Sequence, residues 1–179
     1  MKHASCCLAR AILCLVLVST CWPQARRDPL TPNEVDDLRE AAQDPDQRVK
    51  LFITFARTRL AALDAVRSDP KATDRSGQIH DKLQDFVDIY DELNDNIDTF
   101  LGRKADLRRS LKLVIEADTE FQARLRALKT AADSKPSEAS QYEFLLNTAV
   151  DTLDSSVSEH RQLLTEQEEA AKHKKKQGP

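Results

Sequence analysis

An apolar stripe at helical spacing runs from Ile79 to Leu128 and constrains the fold more than any other feature of the chain. Its members recur at alternating steps of four and three residues, which average 3.5. That is the period of an α-helix that buries one seam against other helices. The stripe therefore predicts long helices packed side by side. Its members are Ile79, Leu83, Phe86, Tyr90, Leu93, Ile97, Phe100, Leu107, Leu111, Val114, Phe121, Leu125 and Leu128.

Composition also favours helices over sheets and turns. Charged residues make up 32% of the 179-residue chain, aromatic residues 5%, and only three residues are glycine. A profile of that kind is typical of helical proteins, and the length suits one domain. We therefore predict an all-α protein: an antiparallel up-down bundle of about four long helices plus a short N-terminal helix, with coiled-coil-like packing.

Two topologies stay open at Gly102, the residue that could divide the stripe. The stripe keeps its phase across this position, which favours one helix of about 50 residues, about 75 Å long. Charge favours a hairpin, because seven acidic residues in His80–Leu101 are followed by five basic residues in Arg103–Lys112. A hairpin would place these opposite charges side by side, whereas a single helix would carry an internal glycine at a cost of about 1 kcal/mol. The hairpin is the favoured prediction, with Gly102 as a left-handed cap and Asp106 capping the next helix.

Capping residues and prolines predict the other helix boundaries. Thr31–Glu34 form a capping-box signature that starts a short helix, and Asp44-Pro45 start a second one. The second helix is predicted to end near residue 67, and its basic outer face is expected to pair with the acidic residues of 81–98. A loop over 68–77 precedes the stripe, and a last helix is predicted from about 137 to 172.

Residues 1–25 have the order of a secretory signal peptide. Lys2 and Arg10 give a positive start, Ala11–Val18 is apolar, and the first acidic residue is Asp28. The apolar run is much shorter than the ~20 residues that a membrane-spanning helix needs. We therefore predict export, to the periplasm or cell envelope of a bacterium or as a secreted protein.

The fate of this segment has three alternatives: removal after Ala25, acylation of Cys21 as in a bacterial lipoprotein, or retention as an anchor. All four cysteines lie within it, so removal leaves no thiol for a disulfide, a metal or a nucleophile. Removal also takes 27 basic residues to 25 against 30 acidic ones, a net charge of −5, which gives no global attraction for nucleic acid. The mature domain is predicted over 26–171, followed by a basic disordered tail over 172–179.

Four polar residues are weak candidates for a metal or ligand site. Asp118 occupies a seam position of the stripe, but a small rotation of the helix would let its neighbours fill the seam instead. His160 lies on the apolar stripe of the last helix, where a lone histidine is usually satisfied by one neighbour. His80 and Asp81 are the best local pair, yet neither a second histidine nor a glutamate stands at a metal-binding offset.

The sequence contains no pattern typical of catalysis. There is no Gly-rich phosphate loop, no nucleophile elbow and no haem-attachment motif. We predict a non-enzymatic protein without a cofactor, acting as a scaffold, adaptor or chaperone-like protein through a protein partner or self-association. Contact with a membrane surface is expected through an acylated Cys21 or through Lys172–Lys176. The alternative is a periplasmic sensor or carrier that holds a small molecule or metal near Asp118 or His160.

Overall fold

The computed structural model describes residues 28–176, and all regular structure in that part of the chain is helical. The predicted all-α bundle, with four long helices and a short one at the N-terminal side, is confirmed. The signal peptide predicted over 1–25 and the lipidation candidate Cys21 lie outside the described residues. Within the described part, no helix is both long and apolar enough to span a bilayer. The helices are α1 (Pro32–Glu40), α2 (Pro45–Ser68), α3 (Arg75–Gly102), α4 (Arg108–Asp133), α5 (Pro136–Ala139) and α6 (Glu143–Lys176).

The four long helices enclose one core. Helix α2 packs against α3 and α4, and α6 packs against α4 and α3, so α3 and α4 face each other across the diagonal of the bundle. Every apolar residue of the stripe is buried. Large aromatic side chains fill the diagonal, where the rings of Phe86 and Phe121 meet edge to face with centroids 5.4 Å apart. The stripe thus forms the centre of the core, as its period predicts.

The chain leaves the helix after Gly102, so the hairpin prediction is confirmed and the single long helix is wrong. The predicted cap is displaced, however: Gly102 is the last helical residue, and Lys104 takes the left-handed conformation with φ 59°. The amides of Lys104 and Ala105 donate to the carbonyls of Leu101 and Phe100, at 2.8 and 3.0 Å. This is the bond pattern of a Schellman motif, in which the residue after the cap turns left-handed.

The charged residues beside this turn form ion pairs that were not predicted from the sequence. The N-cap of α4 is Leu107, without a side-chain cap bond, so the prediction that Asp106 caps this helix is wrong; Asp106 lies one residue earlier and accepts from the backbone amide of Arg108 at 3.2 Å. Further along α4, Arg109 pairs with Asp46 of α2, and Lys112 pairs with Glu168 of α6. Because α3 and α4 lie on a diagonal, the basic start of α4 finds its partners on the two adjacent helices.

The first two helices begin where the sequence predicts. The amide of Thr31 donates to the carboxylate of Glu34 at 2.7 Å, and the amide of Glu34 donates to the hydroxyl of Thr31 at 3.3 Å, which is a complete capping box. Asp44 accepts from the amide of Gln47 at 3.0 Å and caps α2. Helix α1 ends at Glu40, four residues before the Asp44 cap of α2.

Helix α3 starts two residues before the end of the predicted loop. Asp74 is its N-cap, in the left-handed conformation, and the carboxylate accepts from the amide of Gly77. A Cβ atom at position 77 would clash with that carboxylate, so a larger residue would force Asp74 out of its capping position. The glycine therefore serves the start of α3 rather than the loop before it.

The predicted last helix is divided in two and is longer than expected. A turn at 140–142 separates α5 from α6, and the Ser140 hydroxyl donates to the carbonyl of Ser137, a local bond that competes with helix continuation. Helix α6 then continues to Lys176, so 172–176 are helical where a disordered tail was expected. Lysines in a last helical turn complement the helix dipole, which accounts for the extension.

Candidate functional site

Three polar side chains from three helices meet in the core. The Tyr90 hydroxyl of α3 donates to Asp118 Oδ1 of α4 at 2.8 Å, and Nδ1 of His160 in α6 lies 2.8 Å from Asp118 Oδ2. Asp118 is fully buried, and Tyr90 and His160 are 2% and 3% exposed. Both carboxylate oxygens thus have a partner inside the protein, which is the condition for burying a carboxylate at low cost. We call these three residues the buried triad.

The stripes bring the buried triad together. Tyr90 and Asp118 are both seam positions, and the antiparallel course of α3 and α4 brings them to the same level of the bundle. The ring of Tyr90 stacks on Phe86 with centroids 5.9 Å apart, and it meets Phe121 edge on at 6.3 Å. Helix α6 runs beside α4 and presents His160 from its own apolar stripe. The ring contacts fix where the tyrosine hydroxyl points.

A second polar pair lies beside the triad. The side-chain amide of Asn94 donates to the hydroxyl of Ser156 at 3.3 Å, and Ser156 also interacts with Tyr90. The side-chain oxygen of Asn94 is buried and has no hydrogen-bond partner among the described residues. The triad therefore belongs to a polar layer that crosses the core from α3 to α6.

The environment of Tyr90 keeps its hydroxyl protonated. Burial raises the pKa of Tyr90 well above its usual value, and the charge of Asp118 and the hydrogen bond to it raise the pKa further. The tyrosine therefore remains a hydrogen-bond donor to the carboxylate. Since both oxygens of Asp118 are engaged, a metal or ligand would have to displace Tyr90 or His160 to reach it.

The structure separates the four sequence candidates into two places. Asp118 and His160 meet in the triad, and the prediction that Asp118 would rotate out of the seam is wrong, because Tyr90 and His160 satisfy it inside. His80 and Asp81 lie near the start of α3, where His80 Nδ1 is 3.7 Å from Asp81 Oδ1 and both side chains are largely exposed. Within residues 28–176 no group of three or more His, Cys, Asp or Glu side chains is arranged to hold a metal ion.

Tyr90 is the member of the site that sequence reasoning missed. A tyrosine in an apolar stripe is indistinguishable from a core aromatic residue. The available signal was the pair of polar residues, Asp118 and His160, at seam positions of two different helices. Two such positions in one core predict that the side chains bond each other.

Charge on the surface is separated into two regions. The acidic face is formed by Glu92, Asp95 and Asp98, which are exposed and three residues apart on α3. The basic end is formed by Arg103, Lys104, Lys172 and Lys174, which are exposed where α3 and α6 end.

Within residues 28–176, the ion pairs that α2 arginines form with other helices lead to acids of α1 and α4, where α3 was expected. Arg57 binds Glu120 of α4 at 2.7 Å, and Arg59 binds Glu34 of α1 at 2.6 Å. Arg48 donates to the side chain of Asn96 and to a carbonyl of α1. Helix α2 is therefore tied by charge to α1 and α4, and not to the acidic face as defined above.

Known proteins give no guide to these features. No protein-family model, curated protein or solved structure matches the chain. Function is therefore inferred from the residues and their geometry.

Proposed function

We propose that the protein is an exported, non-enzymatic helical bundle that binds another macromolecule in the bacterial cell envelope, as a scaffold, adaptor or chaperone-like protein. The observation that carries the proposal is the separation of surface charge into the acidic face and the basic end. Export is supported by the signal-peptide order of residues 1–25. A second copy of the chain is one partner of suitable chemistry, since the two regions are complementary.

The acidic face has a cost that a partner would offset. Acidic residues three or four positions apart on one helix repel each other by about 0.2–0.5 kcal/mol per pair. Glu92, Asp95 and Asp98 form two such pairs; of the α2 arginines, Arg48 bonds to Asn96 of α3, whereas Arg57 and Arg59 bind acids of α4 and α1. A basic surface on a partner would relieve this repulsion. Complementary charge would also raise the rate and the selectivity of association.

Site-specific cross-linking in the producing bacterium tests the proposal. A photoreactive phenylalanine analogue replaces Asp95 in the centre of the acidic face, and in a control strain it replaces Ala123, an exposed residue on α4. We expect a discrete adduct from position 95 and none from position 123. An adduct of twice the chain mass would identify self-association.

Charge reversal makes that test specific. Glu92→Lys with Asp98→Lys should abolish the adduct from position 95. The matched control, Glu116→Lys with Asp151→Lys, reverses two exposed acids on other helices and should leave it unchanged. Equal adducts from positions 95 and 123, no adduct at all, or equal loss in both reversal variants would contradict the proposal.

A periplasmic sensor or carrier is the second candidate, because the structure brings Asp118 and His160 together. Native mass spectrometry and elemental analysis of protein isolated from its host test it. A stoichiometric metal or small molecule that is lost in an Asp118→Asn variant would favour this function over the first. Protein that carries neither would count against it.

A further inference from the structure

We infer that the basic end docks on the anionic headgroups of a lipid bilayer, so that the bundle stands end-on at a membrane surface. This inference rests on the proposed envelope function and names one surface on which it would act. The juxtaposition that carries it joins residues about 70 positions apart in the chain. Arg103 and Lys104 follow α3, and Lys172 and Lys174 lie in the last turns of α6.

A groove at the turn shows that these two segments share one end of the bundle. Lys104 and Lys174 both line it, and so does Arg108. Hydrogen bonds from Arg108 are the main reason that the pKa of Asp106 is lowered to about 2, and the charge of Lys174 contributes a smaller part. The positive charges of α6 and of the residues after α3 thus act on the same carboxylate, that of Asp106.

Two acidic residues near the basic end are already engaged. Asp106 binds the guanidinium of Arg108, and Glu168 binds Lys112 at 2.9 Å. In the described part of the chain, by contrast, Lys104, Lys172 and Lys174 form no ion pair within 4 Å, and Arg103 lies over the ring of Phe100. The basic end therefore presents a net positive charge, with Glu169 one turn before Lys172 as a single exposed acid beside it. Lys175 and Lys176 continue the basic run in the sequence.

A bilayer fits this geometry better than a nucleic acid. The groove also has apolar lining, from Leu101, Ala105, Ala170 and Ala171, beside which long lysine side chains can extend to headgroups. Along α3 the acidic face begins with Asp98, about 6 Å before Gly102, and ends with Glu92, about 15 Å before it. A plane touched end-on would have only Asp98 within the screening length of about 8 Å at physiological salt. A longer polyanion lying along the bundle would be repelled by the acidic face.

Vesicle binding by the purified full-length protein tests the inference. Co-sedimentation is measured with vesicles of phosphatidylglycerol and phosphatidylcholine, with vesicles of phosphatidylcholine alone, and with a duplex DNA of equal charge concentration. The test variant is Lys172→Gln with Lys174→Gln. The control, Lys50→Gln with Lys71→Gln, removes the same charge from exposed sites elsewhere. Residues 1–27 are the same in both variants and in the unmodified protein, so any contribution they make to vesicle binding cancels in the comparison.

We expect binding to the phosphatidylglycerol vesicles, little binding to neutral vesicles, and none to DNA. Each basic residue near an anionic surface is worth about a fivefold change in partitioning, so the test variant should bind about 25-fold more weakly. The control variant should stay within about twofold of the unmodified protein. Circular dichroism of each variant shows whether the bundle is intact, since lysines that only complement the helix dipole would change stability and not binding.

Three results would overturn the inference: no preference for anionic vesicles, equal weakening in the test and control variants, or binding to DNA in place of vesicles. Failure here leaves the proposed function standing, because that proposal is decided by the cross-links from position 95. If the cross-linking fails but vesicle binding is intact, the bundle docks on a bilayer and the proposed macromolecular partner is refuted.

Discussion

Removal of the Tyr90 hydroxyl measures how much the buried triad contributes to stability. Tyr90→Phe keeps the ring, its stack on Phe86 and its edge contact with Phe121, so apolar burial changes little and no large cavity forms. The lost interaction is a 2.8 Å hydrogen bond to a fully buried carboxylate. Hydrogen bonds to charged groups contribute about 1.5–3 kcal/mol, and Asp118 Oδ1 would be left without its donor. We therefore expect the free energy of unfolding to fall by about 2 kcal/mol.

Urea unfolding at pH 7, followed by circular dichroism at 222 nm, gives this difference. In a domain of this size, about 2 kcal/mol also corresponds to a fall of about 4–8 °C in Tm. Tyr142→Phe is the matched control, because Tyr142 is also buried but its hydroxyl has no hydrogen-bond partner among the described residues. The control should change the free energy of unfolding by about 0.5 kcal/mol or less. Equal effects of the two substitutions would refute the argument that the triad hydrogen bond is stabilising.

Three further predictions concern the turn, the tyrosines and the first helix. Gly102→Ala should stabilise by about 0.5–1 kcal/mol, because Gly102 is helical and an added Cβ meets no atom within 4 Å. Lys104→Gly should stabilise by a similar amount, because it relieves a left-handed lysine; a lower urea midpoint in either variant would contradict the assigned turn. Burial raises the pKa of both Tyr90 and Tyr142, so absorbance at 295 nm should show no tyrosinate step near pH 10 until the protein unfolds. The tyrosine hydroxyls ionise at lower pH in the unfolded chain, so the free energy of unfolding should fall as pH rises above about 10, by up to ~1.4 kcal/mol per pH unit for each tyrosine. An absorbance step near pH 10 in the folded protein would contradict this prediction, because it would show that the rings are accessible. Burial would raise the pKa of Glu34, but the hydrogen bonds and charge of Arg59 and the capping bonds with Thr31 lower that pKa overall. The stability that ionised Glu34 contributes should therefore be lost as pH falls below about 4.5. Glu34→Gln should lower the free energy of unfolding at pH 7 by about 1–2 kcal/mol, measured by urea unfolding, and should weaken its decrease at acid pH. An unchanged decrease at acid pH would contradict this prediction.

Local signals in the sequence predicted the fold well. The capping box at Thr31–Glu34 and the Asp44 cap depend on residues within one helical turn, and both form as predicted. The stripe residues are buried because each helix turns its own apolar side to the core. These features are decided over a few residues, so no knowledge of the tertiary neighbours was needed.

Features that depend on which helices are adjacent were predicted less well. The opposite charges of residues 80–101 and 103–112 predicted that α3 and α4 lie side by side, whereas the two helices face each other across the diagonal. The hairpin was therefore predicted correctly for a reason that the structure does not bear out. The continuous phase across Gly102 was also misleading, since two helices separated by a turn can rotate independently. Asp118 illustrates the same limit, because its two partners lie 28 and 42 residues away.

The buried triad has a consequence for the uniqueness of the bundle. The stripes of α3, α4 and α6 are alike in residue type, so an apolar core alone would tolerate a shift of one helix along another. A shift of one heptad, about 10 Å, would separate Asp118 from Tyr90 or from His160. Leaving the buried carboxylate without one of its hydrogen-bond partners costs about 1.5–3 kcal/mol, which is a substantial share of the stability of a domain of this size. The triad therefore favours one register, and the register fixes where the acidic face and the basic end lie relative to each other.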